Sequence, residues 1–262
     1  SLAANPDDDL PFRPDGSYAA LDAANWRLSA GWLDRWWGPG WDGSLILSNN
    51  PRPIPGLALD RIRSTPFESR WLSWLGPWRA TAFLGALENE RTDVDRPLFL
   101  GLRVAARPLP GLEIALSRSA QFCGEGLPCS LSSFGDLLVG NDNAGADVAA
   151  EDEPGNQMAG FELRWSSPVG DAPYAVYLQM IGEDQSSVAP IKWLGLAGVE
   201  GQLRIAGRDL HLFAEYVDIK CTSSTASKVF DCAYRQSLFF AEGYRFRGRV
   251  IGHVLDSDGR MG

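Results

Sequence analysis

Histidine is nearly missing from this sequence: His211 and His253 are the two residues of that type in 262. That scarcity leaves little for a zinc site or a histidine-based proton relay. Cysteine is sparse as well, at 4 residues, and no pair has the Cys-x-x-Cys spacing of zinc and redox motifs. No nucleophile elbow, phosphate loop or His-Glu-x-x-His run occurs. Positive charge is in deficit, with 24 basic against 33 acidic residues and a formal charge of -9. A nucleic-acid binder needs a basic face for phosphate, so nucleic acid is excluded as the main partner. No apolar run approaches the roughly 20 residues of a membrane-crossing helix. Barrel strands are shorter and alternate, so a transmembrane barrel stays open.

What is abundant is aromatic: 10 Trp, 12 Phe and 6 Tyr. Such rings suit a membrane girdle, the flat face of a sugar, or plain core packing. Their surroundings alternate with period two. In 243–255, Tyr244, Phe246, Val250 and Val254 share one face, and Arg245, Arg247, Arg249 and His253 the other. That is the length and pattern of a tilted barrel strand. Leu100, Leu102 and Val104 oppose Arg103 and Arg107, and Leu112, Ile114 and Leu116 oppose Glu113 and Ser117. Phe161, Leu163 and Trp165 oppose Glu162 and Arg164; Val199, Leu203 and Ile205 oppose Glu200, Gln202 and Arg204. Leu210, Leu212 and Tyr216 oppose His211, Phe213 and Glu215.

Turn-forming clusters at 107–111, 167–173 and 206–209 separate the runs. About eleven or twelve strands result. The expected fold is therefore all-β, an antiparallel meander forming a transmembrane β-barrel or an open barrel segment of a truncated chain, with lipid outside and a polar lumen. A soluble sandwich would show the same alternation with its apolar face turned inward.

Three groups of residues invite a functional reading. Asp34, Arg35, Trp36, Trp37, Trp41 and Asp42 crowd around a Gly-Pro-Gly turn, with Asn49 and Asn50 just beyond. Aromatic faces beside carboxylates, amides and Arg are what sugar recognition requires, and the turn can bring Trp37 and Trp41 to one side. The alternative is that these Trp anchor the turn in the membrane or plug the barrel. Arg245, Arg247 and Arg249 would form a comb in the lumen, about 7 Å apart from the strand rise. Such a comb either pairs with Glu162, Glu200 or Glu215 or binds an acidic polysaccharide. The polar segment 121–156 is a second candidate glycan surface, and its acidic part 141–156 could hold calcium through oxygen ligands. The carboxylates Glu125 and Glu183 would matter only to a glycosidase. Cys123 with Cys129, and Cys221 with Cys232, are expected to close two local disulfides, with free thiols as the alternative.

The stretch WLDRWWGPGWDGSLILSNNPRPIPGLALDR resembles the signature of Wzi-type capsule assembly proteins, as do WLSWLGPWRATAFLGALENER, LEIALSRSAQFCGEG, NDNAG, EPGNQMAGFELRW, QMIGED and GYRFRGRVIGH. These keep their order over nearly the whole chain. The resemblance implies an outer-membrane barrel of a Gram-negative bacterium that acts as a lectin for capsular polysaccharide, without catalysis, cofactor or metal. It implies outer-membrane lipid as surroundings, and a monomer is expected. Family members carry a helical region before the barrel, so 1–262 is expected to be one barrel domain lacking that region and the last strands. A diffusion porin is the competing function, since an Arg-bearing lumen wall facing Glu also describes a pore constriction.

Overall fold

The computed structural model describes residues 13–89, 91–139, 155–167, 173–183, 192–223, 228–229, 234, 240–256 and 260–261. Its strands are β1 Tyr18–Ala23, β2 Trp26–Trp32, β3 Pro55–Arg61, β4 Trp78–Ala86, β5 Leu98–Leu109, β6 Leu112–Phe122 and β7 Gly155–Ser166. They continue with β8 Tyr174–Glu183, β9 Lys192–Ile205, β10 Arg208–Ser223, β11 Lys228–Val229, β12 Arg245–Phe246, β13 Arg249–Val250 and β14 Arg260–Met261. Helix α1 covers Leu131–Val139, and Ser73–Leu75 form one 3-10 turn. From β1 to β11 each strand pairs antiparallel with the next, and β14 joins β10 to complete a 12-stranded sheet. Among the described residues β1 pairs with β2 alone, so the curved sheet is an open barrel wall.

Alternation explains the two faces. Leu116, Phe161, Leu163, Val199, Leu203, Leu210 and Leu212 are exposed on the outer face, while Ser117, Glu162 and Gln179 on the other face are buried. An exposed apolar band opposed by buried polar groups is the inverse of a soluble sandwich and fits a wall facing lipid.

The connections sort by end. β1–β2 turns through Ala24 and Asn25 (φ 47 and 70), and β9–β10 through Ala206 and Gly207 (φ 51 and 76). Positive φ at both central residues is the type I′ turn, whose twist matches a tight hairpin. The opposite end carries the long connections 33–54, 87–97 and 123–154. There the Cys123–Cys129 disulfide staples the segment leaving β6. Phe134 and Leu137 of α1 pack on the outer wall at Leu98, Leu100, Leu102, Ala120 and Phe122. Cys232 and the Cys221 side chain lie outside the described residues, as does the loop 140–154.

Two expectations are corrected. Residues 243–255 do not form a barrel strand. The chain reverses at Arg247 and Gly248 (φ 51 and 73), so β12 and β13 pair with each other as a miniature hairpin. Nor is the lumen polar throughout. Toward the long-loop end the inner wall presents Phe83, Phe99, Met158, Ile181, Leu194 and Leu196, all buried. Against it pack two irregular segments: Trp37, Leu45, Ile46 and Leu47 from the β2–β3 connection, and Tyr244, Phe246, Val250 and Ile251 from the miniature hairpin. Together they plug the barrel.

Backbone in a plug has no water to bond, so each N–H and C=O needs a partner. The segments supply some for each other: Ser48 N–H donates to Ile251 O at 2.9 Å, and Asn50 Nδ2 to Val250 O at 3.0 Å. Side chains supply others. Gln179 Nε2 donates to Trp37 O and its Oε1 accepts from Leu45 N–H, both at 2.8 Å. Tyr234 Oη donates to Leu45 O at 2.7 Å and accepts from His253 N–H at 3.1 Å. Tyr244 Oη donates to Ile46 O at 2.8 Å and lies 2.7 Å from the Ser119 hydroxyl, which can donate to it.

The buried Arg91 guanidinium pairs with Asp93 at 2.8 Å and donates to Arg245 O at 2.9 Å and Gly243 O at 3.1 Å. It thereby clamps the miniature hairpin to the β4–β5 connection. Burial alone would raise the Asp93 pKa, but bonds from Arg91, Glu242 N–H and Val94 N–H hold it below the usual carboxylate value.

Two tests follow from this packing. A Cβ at Gly43 would lie 2.0 Å from Cδ2 of His253, so Gly43→Ala must push the two plug segments apart. We expect a loss of about 1–3 kcal/mol in urea unfolding of the folded protein in detergent; an unchanged midpoint would contradict the plug. Burial lowers the His253 pKa from its ordinary 6.5, outweighing the attraction of Glu215 and Asp42. A depressed folded pKa gives stability that is present above the unfolded value and lost as pH falls below it. The unfolding midpoint should therefore drop from about pH 7 to about pH 5, and drop less in His253→Gln.

Candidate functional site

The Gly38-Pro39-Gly40 turn divides the tryptophans instead of joining them. Trp37 is buried, and its ring fills the space over Gly101 of β5, where a Cβ would meet it at 2.7 Å. Trp41 is 52% exposed on the tight-turn side of the plug. There the inner wall changes character, because β5 to β10 now present Arg103, Glu113, Glu162, Arg164, Glu200, His211 and Glu215.

Glu215 fixes the turn. Its Oε1 accepts from Trp41 N–H at 2.5 Å and from Tyr177 Oη at 2.6 Å, and its Oε2 accepts from Asp42 N–H at 3.1 Å. Two adjacent backbone donors on one carboxylate form a charge-assisted clasp. Glu200 then orients the ring, accepting from the Trp41 indole N–H and from Arg164, with His211 Nε2 at 3.3 Å. The Trp41 ring meets His211 edge-on at 4.9 Å and Phe213 at 6.1 Å. An aromatic platform with a carboxylate and a guanidinium at its edge is the result.

Space adjoins it. A cavity of about 220 Å³ is lined by Gly38, Pro39, Arg103, Glu113, Glu162 and Arg164, among others. Arg103 and Glu113 also border a second one of about 480 Å³, reaching Ser64, Trp78, Arg79 and Arg107. Small-ligand sites run to about 300–1,000 Å³.

The remaining expected site residues fare differently. Asp34 and Asn49 are exposed and Trp36 is half-buried. Arg35 lies 3.8 Å over the Phe83 ring, a packing contact, and burial lowers its pKa. The space beside Asp34 and Arg35 holds only about 10 Å³. Asp42 is exposed and held through its backbone, and Asn50 bonds Val250 O. The arginine comb does not form. Arg245 pairs with Asp256, the Arg247 backbone N–H donates to Glu88 at 2.8 Å, and Arg249 is exposed opposite Phe246. Glu162 and Glu200 pair with Arg103 and Arg164 instead. The sequence reading missed Arg164, Tyr177, Glu200, His211, Phe213 and Glu215 as a site, although parity already placed five of them on one face. Among the described residues no three His, Cys, Asp or Glu side chains converge as a metal site.

Comparison with known proteins fits this architecture. A model of the family described as capsule assembly protein Wzi matches residues 1–262. A Klebsiella pneumoniae relative, described as an uncharacterized 55.8 kDa protein in the cps region, is 39% identical over 191 residues, covering 72% of this chain and 37% of that protein. A solved structure of Wzi from Escherichia coli, described as an outer-membrane protein involved in group 1 capsule assembly and a carbohydrate-binding β-barrel, superposes with TM-score 0.79 at 31% identity. It covers 94% of this chain, which spans 51% of that one. By sequence and by fold, the chain belongs to the Wzi family of capsule assembly proteins.

Proposed function

We propose that this chain forms part of an outer-membrane barrel that binds capsular polysaccharide and helps assemble or retain the capsule at the surface of a Gram-negative bacterium, without chemistry on the sugar. The observation that carries the reading is Trp41: an exposed indole held in one orientation by Glu200, beside His211, Phe213 and Arg164. A pre-oriented ring offers a flat apolar face to sugar C–H groups at little ordering cost, and the flanking charges offer bonds to hydroxyls. Lipid surrounds the outer face, and the protein acts as a monomer in this reading.

The plug speaks against free diffusion. Among the described residues, Trp37, Leu45, Ile46, Tyr244 and Ile251 pack together inside the wall at the long-loop end. Planar-bilayer recordings of the full-length protein are expected to be nearly silent; large steady steps would favour a porin.

Binding of purified capsular oligosaccharide by the full-length protein in detergent tests the site. Trp41→Ala is expected to weaken binding by about tenfold or more, the usual weight of an aromatic anchor, while leaving heat-modifiable gel migration intact. Trp37→Ala should instead cost about 3–5 kcal/mol of stability, because it empties a core position. Unchanged binding by Trp41→Ala would move the glycan site to the long-loop rim.

A further inference from the structure

The β3–β4 connection stands apart from the other described links at the tight-turn end. β1–β2, β5–β6 and β9–β10 turn within two residues, but this link runs from 62 to 77. Its middle exposes apolar bulk: Trp71 is 75% exposed, Leu72 42% and Trp74 63%. Nothing in the described fold covers these rings. Two indoles and a leucine in water are unfavourably hydrated.

The link also folds back over the outer wall. Phe67 stacks on Trp78 at 4.5 Å with planes 9° apart, and the Arg61 guanidinium lies 3.9 Å from the same ring. Trp26 meets Trp78 at 6.5 Å. Further around the rim, Trp165 and Tyr174 pair edge-on at 5.9 Å where β7 ends and β8 begins. Outward aromatics at one level of a barrel mark the interface between lipid chains and headgroups.

Charge chooses the occupant. The whole chain is acidic, yet residues 61–78 carry Arg61, Arg63 and Arg70 against Glu68 alone. Arg70 sits over Trp71 at 5.1 Å, so cation and indole present one joint surface. Tight turns of outer-membrane barrels face the periplasm, where the adjoining leaflet is phospholipid. Trp and Arg together match a phosphate-bearing, partly apolar interface.

We propose that the 62–77 segment is an interfacial anchor whose Trp71, Leu72 and Trp74 enter the periplasmic phospholipid leaflet while Arg63 and Arg70 meet its phosphates. This rests on the membrane placement proposed above. It adds a lipid-binding role for one connection, and it fixes how deep the rim sits.

The test uses the full-length protein refolded into vesicles of phosphatidylethanolamine and phosphatidylglycerol. Trp71→Phe/Trp74→Phe keeps apolar rings but removes two indoles, so its emission subtracted from wild type reports those two alone. That difference signal is expected to be quenched by phospholipids brominated near the headgroup, less by those brominated deep in the chain, and little by aqueous iodide. Quenching by iodide and not by bromolipid would place the segment in water and overturn the anchor. Quenching by neither would mean that protein, from the rest of the chain or a second copy, covers it, and would also overturn it. If the total emission of both proteins escapes bromolipid quenching, the membrane placement itself fails.

Discussion

Irregular backbone inside a barrel must find every hydrogen bond from protein, and the rest of this structure depends on how that demand is met. The β2–β3 connection enters the lumen as Trp37–Ser48, and its carbonyls and amides are collected by a small set of side chains. Gln179 takes one donor and one acceptor from it, Tyr234 and Tyr244 take the next two carbonyls, and the miniature hairpin takes Ser48. An unpaired buried polar group costs about 1–3 kcal/mol, so several such bonds decide whether the plug stays in. With the plug seated, the turn at 38–41 has one place to go, and Trp41 emerges over Glu200 and His211.

The inner wall divides labour along its height. Its apolar half receives the plug's hydrophobic side chains, while its charged half keeps each carboxylate occupied: Glu162 with Arg103, Glu200 with Arg164, Glu113 with Arg107. Buried charges without partners are expensive, and paired ones mainly fix geometry. Glu215 is the exception that links the halves, since its partners are backbone N–H groups of the plug and the Tyr177 hydroxyl. Recognition of a neutral or acidic glycan would then reuse guanidinium and indole groups already held in position.

Much of the wall was legible in the sequence. Strands β5, β6, β7, β9 and β10 each carry a long period-two run and β8 a less regular one, and alternation alone put Glu162, Arg164, Glu200, His211 and Glu215 on the inner face. The run 243–255 has the same period and is not a wall strand. The residue types alternate through the turn, but Phe246 pairs with Arg249 and Arg245 with Val250, and cross-strand partners share a face, so the two halves of the run are out of phase in the hairpin. What gives the reversal away is positive φ at Arg247 and Gly248, and only the glycine hints at it. The inward apolar residues Phe99, Ile181, Leu194 and Val217 were visible too, but a lumen assumed to be wet gave them no role. The split of Trp37 from Trp41 was beyond reading, since it depends on contacts to Gly101 and Glu215 more than sixty residues away.

The central claim is that the plug is part of the folded core and not a loop resting in a pore. Native-state hydrogen exchange on the full-length protein in detergent measures this directly. The amides of Trp37, Leu45, Ser48 and Ile251 are each bonded within the plug or to the wall, so they should exchange as slowly as those of β6 and β7. Gln179→Leu should release Leu45 first, with the strands still protected. Exchange of all four plug amides at loop rates in the unmodified protein, beside a fully protected wall, would contradict the account.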